Sequence, residues 1–166
     1  MDFSKYRPCV GIMLLNREGL VFVGRRRNKR AEHLMKGHEW QMPQGGIDDG
    51  EDPFDAARRE LKEETNVSST RLLAEAPDWY WYDLPSDSSK YAFRGRYKGQ
   101  RQRWFALSFE GKDSEINIDR PGGDGHPEFD AWRWERMERL PELVVPFKRN
   151  VYEQVITIFS HLKKVA

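Results

Sequence analysis

The sequence predicts an α/β fold in which a mixed β-sheet is sandwiched between helices. Three observations lead there. Short apolar segments separated by turn residues recur near 9–15, 20–23, 71–84, 102–109 and 131–134, and they read as strands. Two other segments, Pro53 to Thr65 and about Phe147 to Lys163, carry helical signals. Neither repeats nor a linker interrupt the 166 residues, so residues 1–166 are expected to form a single domain.

Taken in order, Cys9 to Leu15 and Leu20 to Val23 flank Asn16-Arg17-Glu18-Gly19, a hairpin signal. A charged loop follows to about Glu39, and Trp40-Gln41-Met42-Pro43 then leads into Gly45-Gly46. Asp52-Pro53 marks a helix start, with an Asp cap and a Pro at the first helical position. From there to Thr65 the chain holds no further Gly or Pro, and Phe54, Ala57 and Leu61 fall on one stripe. Asn66 stands where that helix must end, in a position that tolerates a left-handed backbone. Strand-like segments follow, with Ser86–Lys90 and Pro121–Gly125 as loops. In 131–134, Trp132 and Trp134 are expected to point inward and Arg133 outward. The last helix has apolar residues at 151, 155, 158, 159 and 162, a helical period.

Composition narrows the class. A formal net charge of +1 does not suit a bulk polyanion binder such as a DNA-coating protein. The single Cys9 lies in an apolar run and reads as a small buried hydrophobe in a reducing compartment. The four His have no metal-ligand spacing. No apolar run approaches a membrane span and the N-terminus lacks a signal-peptide core, so a soluble, cytoplasmic protein without a membrane partner is expected. Charge is nevertheless clustered. Arg25, Arg26, Arg27, Lys29, Arg30 and Lys36 make one basic run. Arg94, Arg96, Lys98, Arg101 and Arg103 make another, interleaved with Phe93, Tyr97 and Trp104. Such runs are either solvated loops or walls that hold a polyphosphate.

The most informative stretch is 45–67, GGIDDGEDPFDAARRELKEETNV. At roughly 100° per residue, Glu60, Glu63 and Glu64 share an arc of about 100°. Arg59 lies one turn before Glu63 and can pair with it. A helical E-x-x-E-E alone is usually a solvated face. Gly45, Gly46 and Glu51 at fixed distance upstream change that reading, because glycines let a backbone approach a phosphate beside a metal-binding helix.

Gly45, Glu51, Arg59-Glu60-Leu61, Glu63-Glu64 and Val67 match the Nudix box, G-x5-E-x7-R-E-U-x-E-E-x-G-U with U apolar, at every fixed position but one, where Asn66 replaces Gly. Further blocks lie outside the box: Tyr6-Arg7-Pro8, Trp40-Gln41-Met42-Pro43-Gln44, Gly99-Gln100-Arg101-Gln102-Arg103-Trp104, Pro127-Glu128-Phe129 and Val145-Pro146-Phe147-Lys148-Arg149. With these the chain resembles the Nudix hydrolases, in the branch of bacterial RNA 5′-pyrophosphohydrolases and dinucleoside polyphosphate hydrolases. The resemblance implies a Nudix-type α/β/α sandwich. It implies Glu60, Glu64 and Glu63 as metal-binding carboxylates, with Glu128 approaching from a loop. It adds a main-chain carbonyl near Gln44 or Gly45 as an extra ligand, with Glu51 and Arg59 in support. Arg7 and Arg26 would reach the 5′ phosphates beside Gly45 and Gly46, and Phe147 would stack on a base.

The implied cofactor is Mg²⁺, with Mn²⁺ or another divalent metal as the alternative. The implied substrate is either the 5′-triphosphate end of RNA or a dinucleoside tetra- or pentaphosphate, and not DNA. Either Glu63 or Glu128 would serve as general base. A binding-only relative would be free to lose glutamates, and this chain keeps Glu51, Glu60, Glu63 and Glu64. One local departure is that Asn28 to Glu39 is longer than the resemblance leads one to expect. The sequence points to no protein partner.

Overall fold

The computed structural model describes residues 2–27, 36–85, 95–119 and 126–164. Among them, eight strands form one mixed sheet built around β1 (Tyr6–Leu15). β1 runs parallel to β7 (Gly99–Phe109), from Tyr6 beside Gly99 to Leu15 beside Ser108. On its other side β1 meets β2 (Val21–Arg26) next to their turn, and the short β4 (Gln44–Gly46) pairs antiparallel with Cys9 to Gly11. β2 also carries β3 (Trp40–Gln41) and β8 (Phe129–Glu135). β7 carries β5 (Thr70–Glu75) and β6 (Tyr80–Asp83).

Strand alternation divides the core between the two faces. Val10, Ile12, Leu14, Phe105 and Leu107 pack with Ala56, Ala57 and Leu61 of α1 (Pro53–Thr65). Met13, Leu15, Trp104 and Ala106 pack with Val151, Tyr152, Val155 and Phe159 of α3 (Arg149–Phe159), beside the single turn of α2 (Leu140–Leu143). The expected layering of helices on both faces of a mixed sheet is therefore present. Trp132 and Trp134 pack on the α1 side of β8 while the Arg133 guanidinium lies 4.2 Å above the Trp40 ring, so the predicted alternation also holds.

Local details follow from named residues. Asp52 caps α1 by accepting from the backbone N–H groups of Phe54 and Asp55, and Pro53 opens the helix. Asn66 ends it in the left-handed region at φ 67°, its N–H donating to the Lys62 carbonyl. The stretch 71–84 proves to be two strands, β5 and β6, which occupy different parts of β7. β7 begins three residues earlier than its apolar run, because Gly99 to Arg101 pairs on both sides. β3 and β4, of two and three residues, are too short to show a period in sequence. The final helix is α-helical only over Arg149–Phe159, with 3-10 turns at Pro146–Lys148 and Ser160–Lys164. The loops expected at 86–90 and 121–125, residues 28–35 of the charged segment, and Phe93 and Arg94 lie outside the described residues.

The helix end supplies a stability test. Asn66→Ala places a Cβ-bearing residue without a side-chain amide in a left-handed conformation, at a cost of about 1–2 kcal/mol, whereas Asn66→Gly restores the backbone tolerance. Urea unfolding of the two variants should rank Gly well above Ala; equal midpoints would mean that the helix end readily shifts.

Candidate active site

The site is assembled around Arg59, in the second turn of α1. Its Nε and Nη2 donate to the two oxygens of Glu51, each at 2.9 Å. Nη2 also donates to the Gly46 carbonyl at 2.8 Å, and Nη1 donates to Glu60 at 2.9 Å and Glu63 at 3.2 Å. The predicted pairing of Arg59 with Glu63 is present, but Arg59 does more. It ties β4, the loop before α1 and two of the three helix carboxylates into one unit. Glu51 also accepts from the Asp48 backbone N–H at 3.0 Å, and its hydrogen bonds from Arg59 hold its carboxyl below the usual carboxylate range.

The helix carboxylates occupy graded environments. Glu63 is partly exposed, Glu60 is mostly buried and Glu64 is buried. Burial pushes the Glu60 carboxyl up to about 6 against the opposing pull of Arg59. Glu64 is driven well above its ordinary range, first by burial and then by the like charges of Glu128 and Glu60, with the Gln44 backbone N–H partly offsetting them. One oxygen of Glu64, Oε2, is buried with no hydrogen-bond partner. Glu128, at the foot of β8, lies 3.9 Å from Arg26 Nε and acts on Glu64 through its charge.

An all-oxygen set with an orphaned buried carboxylate oxygen suits a hard divalent cation. Among the described residues, however, no three carboxylates converge on one point. Arg59 holds Glu60 and Glu63 along their shared helix face. Glu60, Glu64 and Glu128 would supply the inner oxygens, and Glu63 would join by leaving Arg59.

The glycines have a more specific cause than phosphate approach. A Cβ on Gly45 would lie 1.9 Å from the Glu60 carboxyl carbon, and one on Gly46 would lie 2.4 Å from Arg7 Nη2. Gly45 thus gives Glu60 its place over β4, and Gly46 does the same for Arg7 on the opposite face. Gln44 precedes them, and its side-chain Oε1 accepts from Gln102 Nε2 and from Lys148 Nζ, each at 3.3 Å.

Lys148 is the residue that the sequence reading left without a role. It is buried, donates to Gln41 at 3.1 Å and to Gln44, and lies 5.7 Å from the Tyr82 ring. Burial and the neighbouring Arg26 charge push its ammonium down to about 7, while Glu128 and Glu64 act in the other direction. A lysine at the start of a helix ordinarily reads as surface, and its position within the Val145–Arg149 block was the only sequence signal. Arg26 has its Nε buried without a hydrogen-bond partner. Phe147 is half-buried, packed against the α3-side core with its ring 5.5 Å from Tyr82.

The raised carboxyls carry a stability consequence. A carboxyl whose folded value exceeds its unfolded one stabilises the fold fully below the ordinary range near 4.5, and loses that contribution as pH rises through about 6 and above. Chelator-treated protein should therefore lose stability over that interval. Glu64→Gln should be more stable than the unaltered chain at pH 7.5 by about 1–3 kcal/mol. Added Mg²⁺ should stabilise the unaltered chain more than the variant, and indistinguishable melting curves would show that Glu64 is not desolvated.

Comparison with known proteins agrees with this architecture. The NUDIX domain matches residues 5–155. The chain is 60% identical to an RNA pyrophosphohydrolase of Rhodopseudomonas palustris, covering 95% of this chain and 93% of that protein. It is 58% identical to an RNA pyrophosphohydrolase of Rhizobium meliloti, covering 95% of each. The fold is similar to that of the Escherichia coli dihydroneopterin triphosphate pyrophosphohydrolase, with a TM-score of 0.63 at 20% identity over 92% of this chain and 98% of that one. It is also similar to a Caenorhabditis elegans Ap4A hydrolase, with a TM-score of 0.60 at 15% identity over 92% and 98%. The family typically employs divalent metals, for which the clustered carboxylates are suited. The chain belongs to the Nudix hydrolase family.

Proposed function

We propose that this protein removes pyrophosphate from the 5′-triphosphate end of RNA, leaving a 5′-monophosphate and promoting RNA decay, with Mg²⁺ as cofactor. The observation that carries the reading is the 60% identity to an RNA pyrophosphohydrolase over almost the whole of both chains. The geometry supports it: the charges of Arg7 and Lys148 act on the buried Glu60 and Glu64 respectively, and Arg26 stands beside Glu128 and acts on Lys148, next in sequence to Phe147. A cytoplasmic location fits this activity and agrees with the buried, unpaired Cys9. Among the described residues, no helix is long and apolar enough to cross a membrane.

The residues divide the work by their environments. Arg7, Arg26 and Lys148 hold the phosphates by charge-assisted hydrogen bonds. Phe147 stacks on a base, a contact worth about 1–3 kcal/mol and largely indifferent to its identity. Glu60, Glu64 and Glu128, with Glu63 and a main-chain carbonyl near Gln44, would hold the divalent cations. Those cations would supply charge neutralisation, a lowered pKa for water and stabilisation of the phosphoryl oxygens. Glu63 or Glu128, the two half-exposed carboxylates, takes the proton from the attacking water. The water oxygen bonds to phosphorus, the bridging P–O bond breaks and pyrophosphate leaves. Glu51 and Arg59 fix the frame.

The alternative is asymmetric cleavage of diadenosine tetra- or pentaphosphate, which the same cations and ring can accommodate. Product analysis separates the two. Triphosphorylated RNA should be converted to monophosphorylated RNA faster than diadenosine tetraphosphate is cleaved at equal enzyme and Mg²⁺; the reverse order would transfer the assignment to the dinucleotide. Glu64→Gln should lower kcat by about 10²–10⁴-fold with the fold intact. Near-normal turnover in the folded variant would remove α1 from the mechanism.

A further inference from the structure

Outside the site, Phe3, Trp79, Trp81, Arg101 and Arg103 form an aromatic and cationic surface. Arg101 and Arg103 alternate along β7 with Gln102 and Trp104, so they project to the face that α1 covers. The helix reaches only to Phe105, where Phe54 packs at 5.4 Å. Rings take over below it. The Arg101 guanidinium lies 4.3 Å from the Trp79 ring and 5.4 Å from Phe3. Phe3 meets Trp81 edge-on at 5.8 Å, and Trp81 remains 42% exposed.

The cations here are unevenly neutralised. Arg103 pairs with Glu75. Arg101 has no carboxylate partner among the described residues, and its Nε is buried without a hydrogen-bond acceptor. A guanidinium pinned between rings with no anion among the described residues, next to an open indole, offers single-stranded nucleic acid both a phosphate contact and a stacking face.

Its placement joins it to the site. Arg101 pairs across β7 with Trp81 on one side and Pro8 on the other. The Pro8 carbonyl accepts from the N–H of Ile47, the residue after Gly46. Two strand spacings, about 10 Å, therefore separate the Arg101 backbone from the end of the glycine strand. Among the described residues, β6 pairs with β7 alone and forms the sheet border there. On β6, Tyr82 faces Phe147, and its neighbour Trp81 points to the opposite face. A strand leaving the Phe147 stack reaches Trp81 by rounding this edge.

We propose that Phe3, Trp79, Trp81 and Arg101 form a track that holds single-stranded RNA downstream of its 5′ nucleotides, without regard to sequence. The proposal rests on the RNA reading of the active site. It makes chain length a determinant of the substrate: RNA gains from the track, whereas a dinucleoside polyphosphate ends before reaching it.

The test compares the full chain with Trp81→Ala, Trp81→Phe and Arg101→Gln on triphosphorylated RNAs of about three and about twenty nucleotides. Binding of a 5′-hydroxyl RNA of the longer length is measured in parallel by fluorescence anisotropy. Trp81→Ala and Arg101→Gln should each raise KM for the longer RNA about five- to tenfold, leaving kcat and the short RNA unchanged. Trp81→Phe should retain most of the wild-type behaviour, and 5′-hydroxyl RNA binding should weaken in step with the KM effects. Equal losses at both lengths would overturn the proposal. So would unchanged KM and unchanged binding, which would leave the patch as a protein-facing or packing surface. If the unaltered enzyme cleaves only the dinucleotide, the activity reading fails, and the 5′-hydroxyl RNA measurement still decides the track.

Discussion

The structure depends on one guanidinium. Arg59 is permanently charged and planar, so it can hold several oxygens in fixed directions at once. It uses that capacity on Glu51, Glu60, Glu63 and the Gly46 carbonyl. Without it, five oxygens of four groups would face one another across the join between β4 and α1. With it, the helix carboxylates are kept at a set distance from the sheet, and the loop from Gly46 to Glu51 has a defined course. A lysine could supply the charge but not the fork.

Glu64 stands apart from this arrangement. Its side chain lies beneath the others, with one oxygen unpartnered and two like charges nearby. A fold selected only for stability would replace it, since an unpaired buried carboxylate is among the more costly groups a protein can hold. Its presence is a local cost in stability, which the proposed cation binding would offset. Lys148 and Arg26 show the same logic with the opposite sign: the Lys148 ammonium is buried with only amide oxygens as acceptors, and Arg26 Nε is buried without one. On the reading proposed above, a polyphosphate with its counter-cations would match both groups of charges.

The sheet explains how these halves meet. Alternation along β4 sends Gly45 toward Glu60 and Gly46 toward Arg7, so three residues serve both faces. The same alternation along β6 and β7 separates Tyr82 and Gln102, beside Phe147 and Lys148, from Trp81 and Arg101 on the other face. The Phe147–Lys148 cluster and the aromatic surface are therefore joined through the sheet backbone.

Helical spacing was enough to put Glu60, Glu63 and Glu64 on one arc, and Asp52, Pro53 and Asn66 delimited α1 to the residue, because caps and periodicity are local properties. The hairpin at Asn16–Gly19 and the last helix were legible for the same reason. The short strands β3 and β4 were not, since two or three residues have no period, and their existence depends on partners supplied by β2 and β1. The glycines were recognisable as essential but for an incomplete reason: what they make room for comes from Glu60 and Arg7, distant in sequence. Lys148 was hidden because its burial is produced by Gln41, Gln44 and Tyr82, which no local pattern associates with it. The sequence by itself determined the bounds of the acidic helix, the shared arc of its carboxylates and the layered α/β architecture. Tertiary structure alone decided which charges are desolvated and which cations face them, because burial is set by how distant segments pack.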